Sequence, residues 1–424
     1  MASPDSSDSS DSPRSWRGVL DVYAKPRLGR SLLDLGTSVV PYIALLIAMT
    51  LALRVSVLLS LVFVVPASAF LIRTFIVFHD CTHGSFMRTR RANDALGVAL
   101  GLLVWLPFRS WQHEHAVHHA TAGDLDRRGV GDIATLTVAE YRALPTWRRI
   151  GYRLFRNPLI MFGLGWLLVL VLKPRFVPRG ARPRVRNSVL ATNLALALIV
   201  AAFCLTIGWR DYLLVQLPVF AISGAVGIWL FYVQHQFEDT YWRPAGEWDF
   251  HAAALEGSSF YDLPRVLHWL TGSIGFHHIH HLASKIPSYR LRACYDAVPE
   301  LRCAKRVTLW SSLKSVRLSL WDEAAQKLVS FRQAARVPVL LKRSGARGVV
   351  VSRCETLTEF GREPVGDRGN VDCGLGERKG PTPAALQRKM DRRLPERDRT
   401  ELDGEEREPQ DKEADDRRDN HRKA

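Results

Sequence analysis

The chain has few cysteines, and they do not form the patterns that cysteine chemistry requires. Six cysteines occur in 424 residues, with no CxxC pair and no regular spacing. This argues against a disulfide framework or a cysteine zinc site and is typical of a reducing compartment. The six residues are Cys81, Cys204, Cys294, Cys303, Cys354 and Cys373.

The sequence also lacks the motifs that bind organic cofactors and nucleotides. It has no GxGxxG or P-loop pattern, no His-Pro-Gly-Gly haem segment and no internal repeat. The first 18 residues are rich in serine and aspartate and have no apolar stretch, so we predict no signal peptide. We expect residues 1–34 to form a disordered cytoplasmic N-terminus. Residues 345–424 are charged and poor in large apolar side chains, so we predict a disordered tail.

Long apolar runs fill the middle of the chain. Four of them approach the roughly 20 residues that a helix needs to cross the hydrocarbon core. These predicted spans are residues 38–53, 55–78, 188–207 and 212–234, paired into two hairpins by short turns at Arg54 and at residues 208–211. Residues 95–108 and 158–172 are shorter apolar runs, and we predict that they lie at the membrane interface.

Positive charge is concentrated beside these apolar runs. The net charge is +16, and the clusters are Arg88, Arg90 and Arg91, then Lys173, Arg175, Arg179, Arg182, Arg184 and Arg186. Positive residues flank spans on the cytoplasmic side and attract anionic lipid headgroups. We therefore predict a multi-pass protein of the cell membrane with both termini in the cytoplasm and with no nucleic-acid partner.

Eight of the 14 histidines fall into three short boxes. The boxes are His79 and His83, then His115, His118 and His119, then His277, His280 and His281. Residues three or four apart share one face of a helix, so each box is predicted to present its imidazoles to one point. Imidazole suits iron, zinc, copper or nickel, and eight exceed the four ligands of one zinc ion. The boxes therefore predict a site for two metal ions. Because the ligands of one site must lie on the same side of the membrane, an even number of spans is required, and four spans place all three boxes on the cytoplasmic side.

The boxes and their neighbours resemble those of the membrane fatty acid desaturases, a family of multi-histidine di-iron enzymes. Residues 79–86 (HDCTHGSF) look like the first box of acyl-lipid desaturases, and Trp111 precedes the second box as expected there. Residues 234–239 (QHQFED) and 275–281 (GFHHIHH) resemble bacterial acyl-lipid desaturases in particular. The likeness covers roughly residues 35–310.

The resemblance implies an all-α membrane protein with four transmembrane helices in two hairpins. A cytoplasmic helical cap would hold a histidine-ligated di-metal site, all within residues 35–330. Two ferrous ions would be bound, and His235, directly after the fourth span, would complete the ligand set. The implied ligands are His79, His83, His115, His118, His119, His235, His277, His280 and His281.

The implied activity is the O2-dependent introduction of a cis double bond into an acyl chain carried by a lipid, CoA or acyl carrier protein. The chain has no flavin, haem or iron–sulfur motif, so a separate donor must supply the electrons, and we expect a ferredoxin-type donor. Two alternatives remain open. One is a hydroxylase or ketolase that acts on a lipid or carotenoid with the same centre. The other is a membrane metal carrier, which would need ionisable residues along its spans.

Other polar residues near the boxes are candidates for supporting roles. Metal-bound imidazoles usually donate their second N–H to a carboxylate or carbonyl. The carboxylates suitably placed in sequence are Asp80, Glu114, Asp124, Asp132, Glu238 and Asp239. His113 and His278 adjoin the boxes but break their spacing, so we predict supporting or surface roles. His251 and His268 match no box, and we predict structural roles for them.

Overall fold

A computed structural model of the chain describes residues 16–337. In this part the helices are α1 (Trp16–Leu20), α2 (Leu28–Leu53), α3 (Val57–Val62), α4 (Val64–His83), α5 (Arg90–Leu103), α6 (Phe108–Thr121), α7 (Val138–Ala143), α8 (Thr146–Phe155), α9 (Pro158–Gly163), α10 (Pro183–Ile207), α11 (Trp209–His235), α12 (Phe250–Leu255), α13 (Arg265–Leu270), α14 (His277–Leu282), α15 (Ser288–Ala297), α16 (Leu309–Ser315) and α17 (Phe331–Ala334). A π-helix covers Leu167–Leu172, and 3₁₀ turns cover Lys173–Arg175 and Pro299–Cys303. The strands are β1 (Leu136–Thr137), β2 (Phe260–Asp262), β3 (Arg306–Thr308), β4 (Leu320–Asp322) and β5 (Lys327–Val329).

Four of the described helices are long and apolar enough to cross a membrane. They are α2, α4, α10 and α11. Helix α4 packs against both α2 and α11, and it is the most buried of the four. The predicted helical class with four spans in two hairpins is therefore confirmed, and the chain is a membrane protein.

Helix α2 begins ten residues before the apolar run that predicted it. The additional turns are polar, but their side chains find partners inside the protein. Ser31 Oγ donates a hydrogen bond to the Phe86 carbonyl (2.7 Å), and Asp34 pairs with Arg73 of α4 at 2.8 Å. Because these polar groups are satisfied by neighbouring segments, the helix extends past the point where the apolar pattern ends.

The second predicted span is two helices, α3 and α4. The helix breaks after Val62. In a continuous helix the ring of Pro66 would clash with the Val62 carbonyl, four residues earlier. Helix α4 then continues to His83, five residues beyond the predicted end. The second hairpin turns on Gly208 alone, whose φ of +85° is costly for residues with a Cβ.

The two shorter apolar runs each contribute to more than one element, and their placement at the membrane interface stays a prediction. Residues 95–108 belong to α5, a tight turn and the first residue of α6. The turn requires Gly101, because a Cβ there would lie 2.6 Å from the Leu106 carbonyl oxygen. Residues 158–172 form α9 and the π-helix, and Trp166 between them packs against Gly224 of α11. These segments are positioned by contacts with the long helices, which their short apolar pattern did not reveal.

The remaining elements form a cap that contains two short sheets. Strand β4 pairs with β1 in parallel and with β5 antiparallel, and β2 pairs with β3 in parallel. Strands of two or three residues carry too little periodicity to be predicted. The parallel pairs join segments distant in sequence, such as Phe260 and Arg306, and so hold the loops around the third box in place.

The N-terminal prediction was too long. Residues 16–34 are ordered: Leu20 is buried in a core cluster with Phe276 and Ile279, and Arg290 donates a hydrogen bond to the Val22 carbonyl at 2.9 Å. Residues 1–15 and the predicted disordered tail, 345–424, lie outside the described residues.

Candidate metal centre

The nine histidines singled out by the sequence meet in two adjacent clusters. Within each cluster the nearest ring nitrogens lie within 4.8 Å of one another. The five-histidine cluster contains His79, His83, His115, His119 and His280. The four-histidine cluster contains His118, His235, His277 and His281.

The second and third boxes each divide between the two clusters, which corrects the prediction that a box points to one site. In α6, His115 and His119 enter the five-histidine cluster, whereas His118 enters the other. In α14, His277 and His281 enter the four-histidine cluster, whereas His280 crosses to the first. Residues four apart are offset by about 40° around a helix, but neighbouring residues are offset by about 100°. Each HxxHH pattern therefore serves two sites at once.

The spacing of the ring nitrogens suits coordination of a metal ion. In the five-histidine cluster, His115 Nε2 lies 2.9 Å from His79 Nε2 and 3.1 Å from His119 Nε2. In the other cluster, His277 Nε2 lies 2.9 Å from His235 Nε2 and 3.1 Å from His281 Nε2. Two nitrogens bound at about 2.1 Å and at right angles would be about 3.0 Å apart. The observed N···N distances are therefore those expected between neighbouring ligands of one metal ion.

The remaining Nε2 atoms support the same conclusion. Those of His83, His118 and His280 are buried and have no hydrogen-bond partner. An unpaired buried nitrogen is costly, and coordination of a metal ion would satisfy it. All nine Nε2 atoms thus either lie close to another ring nitrogen of their cluster or are buried without a hydrogen-bond partner, so the residues present fit a pair of metal ions.

Burial keeps the clustered imidazoles in the form that binds metal. Loss of solvent lowers the pKa of His115 and His119 well below the usual range, and neighbouring imidazoles lower each pKa further. The same two causes lower the pKa values of His277, His280 and His281. Neutral imidazole offers a lone pair to a cation, so these rings are poised as ligands at neutral pH.

Asp132 orients one ring of the four-histidine cluster. Its Oδ1 lies 2.5 Å from His118 Nδ1, and both side chains are almost fully buried. A carboxylate there accepts a hydrogen bond from Nδ1–H and leaves the lone pair of Nε2 facing the cluster. Gly131 allows this approach: it has a φ of +72°, and a Cβ would lie 3.0 Å from both His118 Cβ and the Glu114 carbonyl oxygen.

Two other groups hold ligand rings or their helices. The Gly257 carbonyl lies 3.1 Å from His235 Nδ1 and fixes that ring in the same way. Asp80 lies 3.4 Å from His79 Nδ1, and it accepts a 2.7 Å hydrogen bond from the Ser288 N–H at the start of α15. The first box is thereby tied to the helix that follows the third box.

The other predicted carboxylates serve elsewhere. Asp124 accepts hydrogen bonds from Arg127 and the adjacent backbone, and Glu114 pairs with Lys173 at 2.7 Å. Glu238 and Asp239 form ion pairs near the surface, with Lys327 and Lys305 respectively.

Aromatic rings pack against the ligands. Trp111 stacks on His115 with ring centres 4.3 Å apart, and Phe231 lies 5.1 Å from His118 and 5.2 Å from His235. Tryptophan four residues before a box places its ring on the same helical face, which is the signal that the sequence contained. The Gly257 carbonyl had no such signal, because it comes from a distant loop.

Four other histidines of the described residues, His113, His251, His268 and His278, lie outside both clusters. His113 is exposed, and so is His251. His268 is buried and its Nε2 accepts a hydrogen bond from the Leu263 N–H, which confirms a structural role. His278 is also buried and its ring packs beside Phe260, so it is not a surface residue.

The fold and these clusters define a helical membrane protein with a site suited to two histidine-bound metal ions. Comparison with known proteins identifies the family. The family model described as fatty acid desaturase matches residues 54–313. The chain is 47% identical over 320 residues to the fatty acid desaturase of Bacillus subtilis, covering 76% of this chain and 91% of that protein.

Two cyanobacterial relatives from Synechocystis agree. One is the sn-1 oleoyl-lipid 12-desaturase, 30% identical over 229 residues, which are 53% of this chain and 64% of the relative. The other is the sn-1 acyl-lipid omega-3 desaturase (ferredoxin), 27% identical over 238 residues, or 53% and 63% of the two chains. The chain belongs to the fatty acid desaturase family. It is an oxidoreductase that acts on acyl lipids, and these relatives do not favour the hydroxylase alternative.

Proposed function

We propose that the nine histidines hold two iron ions and that the protein uses O2 to introduce a cis double bond into a lipid-bound acyl chain. The division of the Nε2 atoms into groups of five and four, each with the spacing of a coordination shell, carries this proposal. When bound, the two iron ions supply the redox chemistry with O2 that removes hydrogen from an unactivated methylene.

The contribution of the chain itself is orientation and exclusion of water. Asp132 and the Gly257 carbonyl accept hydrogen bonds from the Nδ1–H groups of His118 and His235, so both Nε2 lone pairs would be available to one ion. Packing of Trp111 and Phe231 against the ligand rings limits access of water on that side. Methylenes along an acyl chain are chemically alike, so their selection requires a rigid site of this kind.

We also propose a ferredoxin-type electron donor and a centre on the cytoplasmic side of the cell membrane. The chain has no flavin, haem or iron–sulfur motif, and one relative is named for its use of ferredoxin. The basic segments that flank the spans favour the cytoplasmic orientation. Dependence of turnover on reduced ferredoxin, measured with the purified protein in lipid vesicles, tests the donor.

The function is tested by expression in a host with a ferredoxin system, followed by analysis of membrane fatty acids. His118→Ala and His119→Ala each remove a ligand from a different cluster, so each should abolish the new unsaturated chain and lower the iron content. His113→Ala is the matched control on the same helix, because its side chain is exposed. An oxygenated product would instead indicate a hydroxylase, and activity that survives both ligand variants would refute the proposed centre.

A further inference from the structure

Helix α8 has an apolar face that points away from the protein. Trp147, Ile150 and Leu154 are 68%, 54% and 52% exposed. Residues three and four apart lie on one side of a helix, so these three side chains form a continuous stripe. The opposite side holds Tyr152, which is buried and donates a 2.7 Å hydrogen bond to the Ser319 carbonyl. A helix in water turns its apolar stripe inward, so α8 requires an apolar partner outside the part of the chain that the structure describes.

Helix α16 has the same reversed arrangement. Trp310 and Leu313 are 83% and 55% exposed and lie on one side of the helix, whereas Ser312 and Ser315 are buried on the other side. A polar inner side and an apolar outer side are the reverse of what water favours. Exposed apolar patches of this kind mark surfaces that bind a protein or a membrane. The outer face, as we call it, consists of Trp147, Ile150, Leu154, Trp310 and Leu313.

Both helices are fixed to the end of α11 that carries His235. The Tyr232 hydroxyl donates a hydrogen bond to the Ser315 carbonyl of α16 at 2.9 Å. Arg156, the residue directly after α8, donates to the same hydroxyl at 3.2 Å. Tyr232 precedes His235 by only ~4.5 Å along α11, which is long and apolar enough to span a membrane. Helices α8 and α16 therefore lie near the level at which α11 leaves the hydrocarbon core.

The side chains of this face fit the headgroup region of a bilayer. Both helices place a tryptophan on it, and tryptophan is enriched where acyl chains meet headgroups. Arg148 and Arg153 are exposed and flank the α8 stripe on its two sides. The guanidinium of Arg148 lies over the Trp147 ring, 4.9 Å from the ring centre. An apolar stripe bordered by arginine is typical of helices that lie in the plane of an anionic membrane surface.

The positive charge of this helix is not neutralised by the protein around it. Within residues 16–337 no carboxylate forms an ion pair with Arg148 or Arg153. Glu140, the carboxylate nearest to them in sequence, pairs with Arg128 instead. We propose that the outer face rests in the headgroup region of the bilayer and that α8 binds anionic lipids there. The proposal concerns the lipid surface alone and does not depend on what the histidine clusters hold.

The proposal is tested by photo-cross-linking of the full-length protein in vesicles of phosphatidylglycerol and phosphatidylcholine in equal parts. The photoreactive amino acid benzoylphenylalanine is introduced in place of Trp147, Trp310 or Ala293 in turn, and the adducts are identified by mass spectrometry. Ala293 is the control, because it is exposed on α15 beside the ion pair of Arg292 and Asp296. Lipid adducts should form at both tryptophan positions and not at the control.

Other partners of the outer face give different adducts. Adducts to residues 338–424 would show that the end of the chain covers this face, and adducts to a second copy of the protein would show that it is an interface between subunits. Either result, equal lipid adducts at all three positions, or none at the two tryptophans would overturn the proposal.

The lipid captured at Trp147 tests the role of the flanking arginines. Phosphatidylglycerol should exceed its share of the bilayer among these adducts. Arg148→Gln should lower this enrichment by up to about fivefold, because an arginine near an anionic surface contributes about 1 kcal/mol. Arg292→Gln, which changes an exposed arginine of α15, is the matched control and should leave the enrichment unchanged. Equal capture of the two lipids with all arginines present, or an equal effect of the two variants, would refute the binding of anionic lipid by α8.

Discussion

Replacement of Asp132 tests whether a carboxylate behind a ligand ring controls one metal position. The change Asp132→Ala removes the group that lies 2.5 Å from His118 Nδ1. His118 would lose its fixed tautomer, and its Nε2 would no longer be held with a free lone pair facing the four-histidine cluster. Asp132→Asn retains an acceptor but not the charge, so its effect should be smaller.

The magnitude follows from the burial of this contact. The side chains of His118 and Asp132 are 2% and 8% exposed, and the other carboxylate oxygen has no partner. Hydrogen bonds to charged groups contribute about 1.5–3 kcal/mol, and a tenfold change in affinity corresponds to about 1.4 kcal/mol. We therefore expect roughly a 10–100-fold loss of metal affinity, the range usual for groups behind metal ligands.

The assay is a chelator competition on purified protein with iron quantified at each step. The unchanged protein should retain two ions at a chelator concentration where Asp132→Ala retains one. Glu114→Gln is the control, since this carboxylate adjoins His115 in sequence but pairs with Lys173 instead. The reasoning is wrong if Asp132→Ala retains both ions at this chelator concentration. It is also wrong if Asp132→Ala and the control Glu114→Gln both lose both of their ions there.

Three further predictions concern stability. Gly131→Ala should destabilise the protein by about 1–3 kcal/mol, because the φ of +72° is strained for alanine and the added Cβ would meet His118. Thermal unfolding in detergent measures this, and an unchanged unfolding temperature would contradict the prediction. Arg73→Met should cost about 3–5 kcal/mol because it leaves the buried Asp34 with only the half-exposed Arg30, 3.6 Å away, as a charge partner. The double variant with Asp34→Leu should recover most of the loss, and a double variant less stable than the single one would refute this. Burial lowers the pKa of His278 to about 4. Between pH 6.5 and pH 4 its imidazole is therefore protonated in the unfolded chain and neutral in the folded chain. The contribution of His278 to stability is then full above pH 6.5 and falls by about 3 kcal/mol as the pH drops to 4, so His278→Gln should reduce by about that amount the loss of unfolding free energy over this range, measured by denaturant titration.

Much of the helical architecture could be predicted because membrane spans are dictated by local composition. Four apolar runs corresponded to four long helices, and their order in the chain defined the hairpins. The bounds could not be predicted where polar residues were satisfied by distant partners. Asp34 lies buried on α2 because Arg73 of α4, 2.8 Å away, pairs with it more closely than Arg30 of its own helix does. Likewise, the two short sheets pair segments far apart in sequence, such as β2 and β3.

The candidate site could also be predicted only in part. The nine histidines could be predicted from the sequence because eight of them lie in short boxes with helical spacing, and His235 follows the last span. The carboxylate that orients a ring was not readable, because six were equally well placed in sequence. Only Asp132 approaches a ligand nitrogen at 2.5 Å, and a glycine of positive φ beside it makes this approach possible.

The sequence by itself determined the class of protein, its spans and its candidate ligands, because apolar length and histidine spacing are properties of continuous segments. The tertiary structure alone decided how those ligands divide, with His118 and His119 entering different clusters although they are neighbours. It alone also placed Arg73 of α4 beside Asp34 of α2. Both outcomes depend on distances between helices that meet only after folding, and such distances leave no periodic pattern in the chain.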